Sequence, residues 1–345
     1  MEDATSNHSA EMLRLGLAGD VMLGRLVDRY VLADPECPAD YIWGDILPVW
    51  RQIDLRMVNL ECVIATTGEP WMPKTFHFRA GPRAIDALKA AGIQVVGLAN
   101  NHVLDFGGDA LGECLARLRQ ASIHYTGAGE TSTEAAATAM LAVGGITVAT
   151  VALTDGEPEW MATPDRPGTN YVHCTATGLS EPYRARIAGA LAQARAAADL
   201  VVVSAHVGAN WGPPTAQTQA LAHELIDLGA DLYWGHSNHT VQGIELYRGK
   251  PILYSCGDFV DDYAVDPAER NDLSCLFDLI IERGRVTRIR LHPVRIAGLR
   301  VNLATGQDLQ RMHRWLRDRM AEFDTKLDFE GDLGVIEIPT LGGSK

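Results

Sequence analysis

A set of carboxylate, amide and imidazole side chains in this sequence has the chemistry of a metal site. Asp20, Glu61, Asn101, His206, His236 and His239 are candidate ligands, and His102 beside them is a candidate acid or base. Each stands where a short apolar run ends: GD after LRLGLA (13–18), NLE closing LRMVNL (55–60), NNH after QVVGLA (94–99), His206 after LVVVSA (200–205), and GHSNH (235–239) after DLYW. Ligands of open α/β sheets bind outside the carboxyl ends of the strands, so these ends predict one shared rim. A carboxylate such as Glu61, set between apolar residues, is costly to bury unless it is paired or metal-bound. Imidazole mixed with carboxylate oxygen suits Mn, Zn, Fe or Ni and is too nitrogen-rich for Ca. The sequence therefore predicts one or two divalent metal ions.

Other residues are weighed against blander roles. His8, His77, His124, His173, His223 and His313 read as ordinary polar side chains, and capping a turn is the alternative role for Asp20. Asn100 reads as a turn residue, since Asn tolerates left-handed backbone. Arg25 and Arg79 are candidate substrate-binding cations for a carboxylate or phosphate. Trp211, in the Gly- and Pro-rich HVGANWGPP, is a candidate pocket wall. His292 ends RIRL just before Pro293 and is either structural or catalytic.

The elements that must position these residues follow from periodicity. Buried strands are expected at the runs above and at ITVATVAL (146–153), with helices over 82–91, 107–120, 182–198 and 217–229. Pro82 and Pro182 fall where a first helical turn tolerates proline. After about residue 231, strands follow one another closely (TVQGIELY, PILYSC, LFDLII, VTRIRLHPV) without long helices between them. An alternating first half and a strand-rich second half predict stacked sheets flanked by helices. A helix over 306–323 and a returning tail complete the chain. The polar stretch 154–170 is a long loop of the kind that is functional or mobile.

Composition limits the partners. With 345 residues, 47% of them hydrophobic and 21% charged, the chain can bury a sizeable core. A net charge of −14 argues against nucleic acid as a partner. The six cysteines are irregularly spaced without a C-x-x-C pair, which disfavours a disulfide framework. The start, MEDATSNHSAEM, carries acidic residues and no apolar stretch, and no run approaches the roughly 20 residues of a membrane span. The expectation is a cytoplasmic protein.

GDVMLGR (19–25), NLE (59–61), NNH (100–102), the lone His206 and GHSNH (235–239) together resemble the CapA family of poly-γ-glutamate capsule proteins. YSCGDFVDDY (254–263) and RNDLS (270–274) extend the resemblance to roughly residues 13–300. That family is similar in fold to the calcineurin-like metallophosphoesterases, which implies a four-layer α/β/β/α sandwich. The domain would span 1–302, with 303–345 as a helix and tail packing on it. The resemblance implies that Glu61 bridges two metals, that Asn101, His206 and His236 complete one site, and that Asp20 and His239 hold the other. His102 would face the substrate as a general acid or an electrophile. One departure stands out: the phosphoesterases carry D-x-H where this chain has Asp20-Val21-Met22, so a thioether replaces an imidazole. The Asp20 site then binds weakly, takes a ligand from elsewhere, or stays empty. The activity implied is metal-assisted hydrolysis of a phosphoester or amide in an acidic or peptidic substrate. A second reading is epimerisation of a peptide at Cα, with His102, His292 and a non-ligating Asp20 as acid–base groups; a third is a non-catalytic binding module.

Overall fold

The computed structural model describes residues 12–339; the acidic start, His8 and residues 340–345 lie outside the described residues. The chain is α/β and builds two large sheets. In the first, of ten strands, Met12–Val21 lies between Leu55–Leu60 and Leu273–Glu282, followed outward on one side by Val95–Gly97 and His124–Thr126. On the other side come Arg285–Ile296, Leu333–Glu337 and Asp328–Glu330. The short strand Asp258–Val260 also pairs with Met12–Val21, in parallel. The six-stranded second sheet runs Ile244–Tyr247, Lys250–Leu253, Leu232–His236, Leu200–His206, Ile146–Thr154, Ala139–Val143.

Period-2 alternation decides which side chains meet. Leu200 and Val202 point toward the first sheet, where they share a core with Leu15, Leu17, Met57 and Trp234. Their neighbours Val201 and Val203 point the other way, into a core with Ile187, Leu191, Leu221 and Leu225 from the helices Tyr183–Ala197 and Ala216–Asp227. A third core lies on the outer face of the first sheet, where Val58, Leu60 and Val96 meet Leu88 and Leu111 of the helices Ala84–Ala91 and Gly107–Gln120. Helix Gly107–Gln120 buries Ala110, Leu111, Cys114, Leu115 and Leu118, one continuous stripe at helical spacing.

Both proline-led helices start later than expected, at Ala84 and Tyr183, with Pro182 in the cap position. The stretch 154–170 is ordered: it carries the short helix Pro158–Trp160, buries Trp160, and pairs Gly168–Thr169 with Ala128–Gly129. Beyond helix Gly306–Ala321 the chain returns, and Leu333–Glu337 pairs antiparallel with Arg285–Ile296. All six cysteines are free thiols. Among the described residues, no helix is long and apolar enough to cross a membrane.

Candidate metal centre

The site begins at a close crossing of two Gly-Asp segments. Asp20 is registered opposite Asp258 in the parallel pairing, and the Asp20 amide donates to the Gly257 carbonyl at 2.9 Å. A Cβ on Gly19 would stand 1.7 Å from that same carbonyl oxygen, so only glycine allows the approach. Asp20 is buried, and Asn59, on the adjacent strand, donates to its Oδ1 at 2.7 Å. Asn100 locks this arrangement by donating to Asn59 Oδ1 at 3.2 Å and to the Leu60 carbonyl at 2.9 Å. Asn100 does not adopt the left-handed backbone expected of it; its side chain shapes the turn instead, accepting from the His102 amide at 3.0 Å.

The second sheet supplies the imidazoles. His206 and His236 end neighbouring parallel strands in register, with their Nδ1 atoms 3.3 Å apart. Ser204 sits 2.9 Å from His236 Nε2, which turns His236 Nδ1 toward the cluster. Trp234 donates from Nε1 to the Ala18 carbonyl at 3.0 Å, clipping the two sheets together one residue from Gly19 and two from His236. Ser237 then takes a left-handed backbone (φ +90°), and the chain doubles back to present His239. Two donor groups result, each with ligand atoms mutually within 4.8 Å: Asp20, His206 and His236, and Asp20, His239 and Asp258.

This grouping differs from the implied one in two respects. Asp20 belongs to both sets, whereas Glu61 belongs to neither; Glu61 Oε1 lies 3.9 Å from His206 Nε2, and Oε2 accepts from the Tyr263 hydroxyl at 3.0 Å. Asp258, which sequence reasoning did not single out, stands in the second set, its Oδ1 2.8 Å from His239 Nδ1. Met22 is buried with its sulfur 3.1 Å from the Gly24 amide.

His102 carries its own partner. Its Nδ1 lies 2.6 Å from Asp105 Oδ2, its ring stacks on Phe78 at 3.8 Å, and Asp105 also accepts from Lys74 at 2.6 Å and from the Phe78 amide at 2.7 Å. Burial takes the imidazole down to about 4 although Asp105 pulls the other way. At neutral pH the ring is therefore uncharged, with Nδ1–H donating to Asp105 and Nε2 left as an acceptor. Asp105 was missed, although its place three residues after His102 in NNHVLD was a usable signal.

Arg25, Glu61, Asn101, His102, His206, Trp211, His239 and Tyr263 line one cavity of about 330 Å³, and Asp20, His236 and Asp258 lie beneath it. Arg25 is held by Asp262 at 3.3 Å and packs over Phe76 and Phe78. Arg79 is not brought there: it donates to the Thr67 and Gly68 carbonyls and stacks over Phe106 at 4.1 Å. His292 is not brought there either. It is paired with Leu276, on the helix-covered face of the first sheet, and its Nε2 lies 3.6 Å from Asp278, which also holds Arg14.

The donors fit a divalent cation. Asp20 Oδ2, Asn101 Oδ1 and Asp258 Oδ2 are buried oxygens without a hydrogen-bond partner, an arrangement natural structures rarely leave unexplained. Burial lifts Asp20 to about 6 and Glu61 and Asp258 well above the carboxylate range. Burial also drops His236 to about 3 and His206 well below its ordinary value. Neutral imidazole lone pairs and carboxylates short of positive charge are the two things a cation relieves.

The fold and site define an α/β protein with a buried carboxylate–imidazole centre at its strand ends. Residues 14–263 match the family described as bacterial capsule synthesis protein PGA_cap. A probable polyglutamine synthesis accessory protein of Mycobacterium tuberculosis is 35% identical, over 88% of this chain and 88% of its own length. The capsule biosynthesis protein CapA of Bacillus anthracis is 30% identical, over 73% of this chain and 60% of its own. The PGA biosynthesis protein CapA of Bacillus subtilis is 28% identical, over 74% and 65%. The chain belongs to the CapA family.

Proposed function

We propose that this protein is a metal-dependent hydrolase of metallophosphoesterase type, cleaving a phosphoester or amide in an acidic or peptidic substrate. The observation that carries the reading is the pair of donor sets sharing Asp20, with unpartnered oxygens in both. The proposed architecture is a four-layer α/β/β/α sandwich over the described residues up to 302, with the described residues from 303 packed on it, a layering supported by the three apolar cores. An acidic substrate is supported by Arg25 in the cavity wall and by the capsule and polyglutamine names that relatives carry.

Bound divalent metal would acidify a water and polarise the scissile group. Asp20, His206 and His236 would hold one ion, and Asp20, His239 and Asp258 a second, with Asn101 and Glu61 at the margin. His102 accepts a proton at Nε2 and returns it to the leaving group, while Asp105 fixes the tautomer and steadies the imidazolium. Arg25 anchors a substrate carboxylate or phosphate, and Trp211 walls the cavity. Inversion at Cα needs a second acid–base group across the substrate, and His292, on another face of the sheet, does not provide it.

The test incubates the metal-loaded full chain with glutamyl peptides and phosphopeptides in ¹⁸O-labelled heavy water, read by mass spectrometry. The proposal expects ¹⁸O in a cleaved product and no deuterium at Cα. Deuterium at Cα without cleavage would overturn it in favour of epimerisation, and neither label in metal-loaded protein would leave a binding module.

A further inference from the structure

A second cavity, of about 460 Å³, opens at the opposite end of the strands. Asp199 and Asp231, just before the strands Leu200–His206 and Leu232–His236, line it, so it lies roughly 20 Å from the metal ligands at about 3.3 Å per residue. Two hairpin turns, one from each sheet, converge on it: Arg248-Gly249 between Tyr247 and Lys250, and Arg283-Gly284 between Glu282 and Arg285.

Both turns take left-handed backbone at both central residues, with φ +52° at Arg248 and at Arg283. That conformation favours Asn, Asp or Gly at the first position, and arginine there costs local backbone energy. The chain uses the favoured chemistry elsewhere: Gly144-Gly145 makes the corresponding turn between Val143 and Ile146. Strained residues of this kind cluster where a site needs their side chains. A Cβ on Gly284 would stand 2.5 Å from the Asp199 carbonyl, so this turn is seated against the base of the other sheet.

The charge balance points the same way. Arg195, Arg248, Lys250, Arg283 and Arg285 line the cavity with Asp199 and Asp231, and Arg248 is also paired with Asp227 at 3.0 Å, in a chain of net charge −14. Asp231 is already engaged by Arg195, by Lys250 at 3.1 Å and by the Val201 amide. Asp199 accepts from the Thr147 amide. Arg283 and Arg285 have no ion-pair partner among the described residues. Guanidinium groups converging on a cavity of ligand size are suited to bidentate capture of phosphate or carboxylate oxygens.

We propose that this cavity is a binding site for a small polyanion carrying paired phosphate or carboxylate groups, separate from the metal centre. The test titrates the full chain with pyrophosphate and with citrate by calorimetry at low and moderate salt, in chelator-treated protein. The variants are Arg283→Asn with Arg285→Gln, and separately His206→Ala. Binding of at least one anion should weaken tenfold or more in the double variant, fall with salt, and survive His206→Ala. Because asparagine relieves the turn, the double variant should melt no lower than the parent, which separates lost binding from lost folding. Undiminished binding in the double variant, loss of binding in His206→Ala, or no binding of either anion by the parent would overturn the proposal.

Discussion

Replacing Asp105 by asparagine tests the His102 arrangement without knowledge of the substrate. Asp105 is fully buried and accepts from His102, Lys74 and the Phe78 amide, so neutralising it breaks a charge-assisted network at its hub. The asparagine oxygen can still accept, but its NH₂ must face one of the remaining donors. Lys74, only 13% exposed, is left with Glu157 at 3.8 Å as its nearest carboxylate. Breaking such a buried pair costs about 3–5 kcal/mol. An unfolding entropy of about 2.1 cal/mol/K per residue makes that a fall in Tm of roughly 4–7 °C for this chain. Lys74→Met should be destabilising in the parent yet recover part of the loss in the Asp105→Asn background, where the ammonium lacks its partner. Turnover, once a substrate is in hand, should fall roughly 10²–10⁴-fold, because His102 loses the group that fixes its tautomer. Thermal melts of the parent, both single variants and the double variant form the cycle. Strictly additive melts, or Asp105→Asn turnover near the parent's, would refute the reasoning.

Other consequences are as direct. Ser204→Ala frees His236 Nε2 and should weaken metal affinity by about 10–100-fold with little change in fold, read by competition with a chelating dye. His292→Ala should leave metal content and turnover unchanged while lowering stability by about 1–3 kcal/mol, and loss of turnover with intact stability would return His292 to the site. Burial pushes the Glu113 carboxyl up, but bonds from Arg117, Thr66 and Thr67 outweigh it and hold the group at about 2. A carboxyl held low in the folded state adds stability above its ordinary range near 4.5 and loses it as pH falls toward 2. The Tm gap between parent and Glu113→Gln should therefore narrow between pH 7 and pH 3; a constant gap would contradict this.

Much of the scaffold was legible because burial leaves a period. The run LVVVSA gave a buried strand, and helix 107–120 was read to its observed ends. Sheet membership was not legible: the closely spaced strands after residue 231 divide between the two sheets, Leu232–His236 in one and Leu273–Glu282 in the other, a choice made by long-range pairing. Asp258 was readable in principle, since Gly257-Asp258 repeats the Gly19-Asp20 dipeptide near the end of an apolar run, but only the parallel register shows that the two meet. Asn59 and Tyr263 act through hydrogen bonds to Asp20 and Glu61, and nothing in their spacing announced it. His292 was left open between a structural and a catalytic role because strand parity, set by its pairing with Leu276 and turning it to the helix-covered face, is not visible in the sequence.

The centre itself is tested most directly by metal stoichiometry. Chelator-stripped protein, reloaded with Mn or Zn and desalted, would be measured by elemental analysis for the parent and for Asp258→Asn, His206→Ala and Asp20→Asn. Two donor sets sharing Asp20 predict about two equivalents in the parent, about one in Asp258→Asn and in His206→Ala, and nearly none in Asp20→Asn. Metal retained at the parent level in both Asp20→Asn and His206→Ala would contradict the assignment of this cluster as the metal centre.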